Sequence, residues 1–231
     1  MSSHREYCPI SAAVDVLGDR WTPLVMRELM VGASGFNDIH RGIPRASRSL
    51  LAQRLRTLER QGLVVKEAAG RGRPGRYVLT PAGESLTPVI WDMGRWAAEW
   101  MFGDPTDEEC DGLGLIWRLH QYADVSRLPA SRTVVHVVLT GPGAAQGWLD
   151  IRDSAVTVCK DDPGLDVDLA VESSTRSMAR WLVGRVEARE LVRQGDLRFL
   201  GPSRLARAFP TWFDTTVFEP LPRPARGRRA S

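Results

Sequence analysis

Residues Ser47 to Gly62 constrain the fold more than any other stretch of the chain. Leu51, Leu55 and Leu58 recur at the intervals that place them on one face of a helix, while Arg48, Ser49, Gln53, Arg56 and Arg60 fall largely on the other. Ser47 stands where a helix N-cap belongs. One face must therefore pack and the other must meet solvent, and the solvent face carries Arg and Gln, the side chains that pair bidentately with purine edges.

The surrounding punctuation fits a helix-turn-helix with a hairpin. Helices are expected from Ile10 to Leu17, ended by Gly18, and from Trp21 to Met30, with Thr22 and Pro23 as the start signal. The stretch Val31 to Gly35 breaks the pattern, and a short helix from Phe36 to Arg41 is closed by Gly42 and Pro44. Past the leucine helix, Leu63 to Lys66 and Arg76 to Thr80 read as strands around a flexible basic tip, Gly70-Arg71-Gly72-Arg73-Pro74-Gly75, which is expected to be a wing.

Charge is distributed to match. Ten basic residues and two acidic ones lie between Arg41 and Arg76, whereas thirteen basic and eighteen acidic residues lie between Asp104 and Pro222, so the formal +3 of the 231-residue chain conceals a basic module joined to an acidic one. Clustered Arg and Lys are rewarded by displacing counterions from phosphate, which makes a duplex or another polyanion the expected partner of the first module and makes the second a poor nucleic-acid binder.

A helix opened by Pro81 is expected to run through Leu86, Val89, Ile90, Met93, Trp96, Ala97, Trp100 and Met101, bent at Pro88. Its apolar face is too wide for a small domain to bury, which predicts either a homodimer interface, the favoured reading, or packing on the following domain. The acidic stretch 104–112 reads as a linker between an N-terminal domain, 1–103, and a C-terminal domain, 113–222. That second domain is expected to start with a helix from Leu113 to Val125. Strands follow at Thr133 to Thr140, Gly147 to Arg152, Ala155 to Cys159 and Val167 to Glu172. A helix capped by Ser174 comes next, then a strand at Leu197 to Leu200 and a helix from Pro202 to Phe209. The pattern is α+β with an antiparallel sheet. The basic tail 223–231 is expected to be disordered.

At 43% apolar content the chain can build two ordinary domains without staples. No apolar run approaches the roughly 18 residues of a membrane span, no secretory core follows Met1, and Cys8, Cys110 and Cys159 form no CxxC pair. A cytoplasmic protein with no metal, no cofactor and no membrane partner is expected. His4, His40, His120 and His136 have no ligand spacing, and neither a GxSxG nor a phosphate-cradling loop is present, which argues against an enzyme.

The ordered succession Cys8-Pro9-Ile10, Val16-Leu17-Gly18-Asp19-Arg20-Trp21-Thr22, Arg27-Glu28-Leu29, Phe36-Asn37-Asp38-Ile39, Leu50 to Glu59 and Tyr77-Val78-Leu79-Thr80-Pro81-Ala82-Gly83 closely resembles the HxlR-type winged-helix transcriptional regulators over residues 7 to about 101. The resemblance implies a homodimer joined by the first and last helices of the domain, a recognition helix in the major groove, and a wing on the flanking minor groove or phosphates. Matching by position, it implies DNA contacts from Ser47, Arg48, Ser49, Gln53, Arg54 and Arg56, and from Arg71, Arg73 and Arg76 on the wing. Some such regulators use a cysteine at the position of Cys8 as an oxidation switch. Cys8 is then either a reactive thiol or a small buried hydrophobe.

Residues 113 to about 213 look similar to the sterol carrier protein type 2-like domain, through Val134 to Glu172, Trp181-Leu182-Val183-Gly184 and Gly195-Asp196-Leu197-Arg198-Phe199-Leu200-Gly201-Pro202-Ser203-Arg204-Leu205. That resemblance implies an apolar small-molecule effector in a cavity lined by Trp148, Trp181, Leu182, Phe199 and Phe209; the alternative is that these side chains are plain core. A homodimeric transcriptional repressor is the leading expectation. The second is a lipid or small-molecule binding module with redox regulation through Cys8.

Overall fold

The computed structural model describes residues 7–68 and 75–216. The chain forms two compact units that divide between Met93 and Gly94.

The first unit is helical with a two-stranded hairpin. It contains α1 (Pro9–Leu17), α2 (Thr22–Met30), α3 (Phe36–Gly42), α4 (Arg48–Arg60), β1 (Val64–Glu67), β2 (Arg76–Leu79) and α5 (Pro81–Glu84), and α6 (Thr87–Trp100) runs across the division. The α4 leucines behave as their spacing requires, with Leu51, Leu55 and Leu58 at most 1% exposed among Val25, Met26, Ile39 and Ile43. Each such leucine contributes roughly 2 kcal/mol by leaving water. β1 and β2 pair antiparallel from Val64↔Leu79 to Glu67↔Arg76. Thr80 ends the hairpin by donating its hydroxyl to the Gly62 carbonyl at 2.6 Å and accepting the Gly83 N–H, which caps α5.

Two features of this unit lie beyond the sequence patterns. Glu28, on α2, is fully buried, paired with Arg27 at 2.7 Å, and packed so closely over Gly42 that a Cβ there would stand 1.7 Å from its Oε2. Gly42 is thus required by a carboxylate fourteen positions away as well as by the end of α3. Pro88 does not bend one long helix but stands in the first turn of a new one, because it lacks the N–H a helix interior needs and disfavours helical backbone before it.

The second unit contains α7 (Gly112–Gln121), β3 (Thr133–Thr140), β4 (Ala145–Arg152), β5 (Ala155–Cys159), β6 (Leu169–Ser174), α8 (Thr175–Leu182), α9 (Ala188–Gln194), β7 (Leu197–Leu200) and α10 (Ser203–Ala208). The α+β class is as expected, but the sheet is mixed. Its order is β5-β4-β3-β6-β7, and β3 pairs parallel with β6 from Val135↔Leu169 to Thr140↔Ser174. Alternation within a strand fixes which side chains face inward; it leaves the neighbour and its direction open. Here β4 and β5 extend the sheet on one side of β3, and the chain returns to the other side running the same way as β3. Val135, Val137, Leu139, Leu149, Ile151, Leu169 and Val171 point to the helices, where Ile116, Leu119, Met178, Trp181, Leu182 and Leu191 cover them. The acidic stretch 104–112 is fastened to this unit: Asp104 pairs with Arg180 at 3.2 Å and Asp107 with Arg176. Among the described residues no helix is long and apolar enough to cross a membrane.

Candidate nucleic-acid interface

The start of α4 is fixed by a side-chain cap and by a brace to α3. Ser47 Oγ accepts the Leu50 N–H at 3.2 Å and lies 3.0 Å from Ser49 Oγ. Arg48 donates to Asn37 Oδ1 at 2.8 Å, with its guanidinium carbon 5.0 Å from the Phe36 ring centroid, so the first residue of α4 grips α3. Ser47, Arg48, Ser49, Gln53, Arg56 and Arg60 are all exposed. At about 100° per residue the five on the helix fall within about 140° of one another. They present one continuous polar face opposite the leucines.

Arg54 is different. It lies about 100° beyond that face, keeps 17% of its side-chain exposure, and pairs through Nη2 with Asp19 Oδ2 at 2.7 Å. The resemblance groups it with the DNA contacts, but the structure brings it to the side of α4 that meets the α1–α2 turn.

On the hairpin, Arg76 is exposed and donates from Nε to Ser34 Oγ at 3.2 Å, while the Tyr77 N–H donates to the Ser34 carbonyl at 2.8 Å. Ser34 therefore anchors β2 to the turn before α3, a role no sequence pattern announced. Arg71 and Arg73 lie outside the described residues, as do the 223–231 tail and the chain before Tyr7.

Cys8 occupies the N-cap position of α1 and is partly exposed. Its thiol is held below the usual range, most by the Ser11 backbone N–H, then by that of Ile10 and the Ser11 side chain, with burial opposing. Tyr7, Ile10 and Val14 at α1, and Val89, Met93, Trp96 and Trp100 along α6, are large apolar side chains left exposed, each set at near-helical intervals.

In the second unit the five expected cavity residues do not line one space. Trp181, Leu182 and Phe209 are at most 3% exposed, and ring centroids stand 6.1 Å apart for Trp181–Phe209 and 5.7 Å for Phe199–Phe209. Trp148 belongs to the other face of the sheet. It alternates with Leu149, which points into the core, and stacks on His136 at 4.5 Å. Among the described residues no cluster of His, Cys, Asp and Glu is arranged to hold a metal.

A capped helix with a continuous polar face, packed on two preceding helices and followed by an antiparallel hairpin, defines a winged helix-turn-helix. The HxlR-like helix-turn-helix family matches residues 16–104. Among curated relatives, the uncharacterized HTH-type transcriptional regulator YvaP of Bacillus subtilis is 36% identical over 104 residues, covering 44% of this chain and 94% of the relative. The HTH-type transcriptional regulator YodB of the same organism is 35% identical over 107 residues, covering 45% and 93%. The solved reduced form of YodB is 33% identical, covers 42% of this chain and 96% of that one, and superposes with a TM-score of 0.36. The chain belongs to the HxlR-like helix-turn-helix family, and it is a transcriptional regulator with a helix-turn-helix DNA-binding domain.

Proposed function

We propose that the chain is a cytoplasmic homodimeric repressor that inserts α4 into the major groove. The observation that carries this reading is the continuous exposed face of Arg48, Ser49, Gln53 and Arg56 on a helix whose start is capped and braced. Gln53 and Arg48 read base edges, while Arg71, Arg73 and Arg76 on the wing position the phosphate backbone. The exposed stripes of α1 and α6 supply the dimer surface, which sets the two recognition helices about 34 Å apart on successive grooves.

Footprinting on the chain's own promoter tests the division of labour. Gln53→Ala is expected to relax sequence preference by roughly 1–3 kcal/mol at one position, and Arg73→Ala to weaken specific and nonspecific binding alike. A footprint unchanged by both sinks the assignment.

The second unit completes the reading as a sterol-carrier-like effector domain. Support comes from its α+β build with helices on one sheet face and from the aromatic cluster of Trp181, Phe199 and Phe209, where an apolar ligand would take the place of ring-to-ring contacts. Occupancy would shift the population of DNA-competent dimers only by its differential affinity for them. A second reading, redox control through Cys8, is favoured by the lowered thiol pKa at the start of α1. Equal DNA affinity before and after mild peroxide would rule it out.

A further inference from the structure

Arg54 and Asp19 form a connection that DNA contact does not explain. Asp19 stands between α1 and α2 and uses both oxygens: Oδ1 accepts the Trp21 N–H at 3.0 Å and Oδ2 meets Arg54 Nη2 at 2.7 Å. One carboxylate therefore ties the start of α2 to the middle of α4. The side chains are 28% and 17% exposed, and Arg54 Nε is buried without a hydrogen-bond acceptor among the described residues. Such a guanidinium depends on the Asp19 carboxylate, since a partly desolvated charge left unpaired is costly to keep in place. Gln53 and Arg56 flank Arg54 in sequence and point outward. Any rolling of α4 that moves Arg54 swings both of them.

We infer that Arg54 is a positioning residue: with Asp19 it sets the rotation of α4 against the α1–α2 turn and so aims Gln53 and Arg56. The inference rests on the reading of α4 as the recognition helix. It also makes that turn the place where a displacement of α1 would reach the recognition face.

Charge alone and positioning predict opposite signs for one substitution. Removing a carboxylate near a polyanion-binding helix should strengthen DNA binding if only the field matters. If Asp19 holds Arg54 in place, binding should weaken. Asp19→Asn removes the charge and keeps an oxygen for the Trp21 N–H.

The test is fluorescence anisotropy of the full chain on a labelled duplex from its own promoter, across about 50 to 200 mM salt. The proteins are the wild type, Asp19→Asn, Arg54→Gln and the double variant, each checked for native circular dichroism. Each single variant is expected to bind about tenfold more weakly, with the double no worse than either. The slope of log affinity on log salt is expected to stay unchanged. Tighter or unchanged binding by Asp19→Asn overturns the inference, as does a slope reduced by about 0.9 in Arg54→Gln, the mark of one lost phosphate contact. If Arg54→Gln does not fold, the sign of the Asp19→Asn effect decides alone. A wild-type chain that binds no duplex overturns the reading of the helix itself, a result distinct from any difference among the variants.

Discussion

On α4, Gln53, Arg56 and Arg60 stand in solvent while three leucines supply the burial. Beneath the five-stranded sheet, Trp181, Phe209, Trp212 and Phe213 are all at most 3% exposed and meet edge to face or tilted. The first region leaves its chemically able side chains free, and the second turns its largest ones on each other. Residue type is therefore a poor guide to function until the side of the element is known. Arginine shows this within a single helix, since Arg54 and Arg56 are two positions apart and only Arg56 faces outward.

The contrast is tested most severely at Phe209, which touches Trp181, Phe199, Trp212 and Phe213. If these rings fill the core, Phe209→Ala costs about 3–5 kcal/mol of unfolding free energy in urea. A loss under about 1 kcal/mol would mean that they enclose space, as a ligand cavity does. Gly42→Ala comes next. Its methyl group meets the buried Glu28 carboxylate, and overpacking of this kind costs roughly 1–3 kcal/mol, read as a lower denaturation midpoint of the first unit. Ser47→Ala removes the cap of α4 and is expected to cost about 1 kcal/mol; thermal unfolding measures it, and an unchanged midpoint would show that the Arg48–Asn37 brace suffices by itself.

The smallest effect concerns acid. Asp150 is held below the ordinary carboxylate range, chiefly by the hydrogen bonds from Arg132 at 2.9 Å, with the charges of Arg132 and Arg152 adding and burial opposing. A carboxyl whose pKa is depressed on folding stabilises above its unfolded value of about 3.9 and loses that contribution as pH falls through the folded value. Asp150→Asn should therefore flatten the loss of stability below about pH 4. Denaturation midpoints followed into acid would show this; parallel curves for the two proteins would contradict it.

Much of the first unit is legible in the sequence because its signals are local. Ser47, the leucine spacing and the glycines mark α4 and its neighbours within a few residues of where the structure has them. The same helical arithmetic, carried one step further, sets Arg54 apart from Gln53 and Arg56. Strand alternation likewise separates Trp148 from Leu149 and places it on the far face. What stays illegible depends on distant partners: the parallel pairing of β3 with β6, Glu28 over Gly42, Asp19 beside Arg54, and Ser34 under the hairpin. None of these partners is adjacent in sequence, and no periodicity connects them.

In the proposed function the exposed faces of α1, α4 and α6 serve a dimer that grips DNA. Native mass spectrometry of the intact chain, mixed with a duplex covering its own promoter, tests it most directly. Two chains on one duplex, and two chains together in its absence, are the expected result. A single chain on the duplex, or a dimer that takes up no duplex, would contradict it.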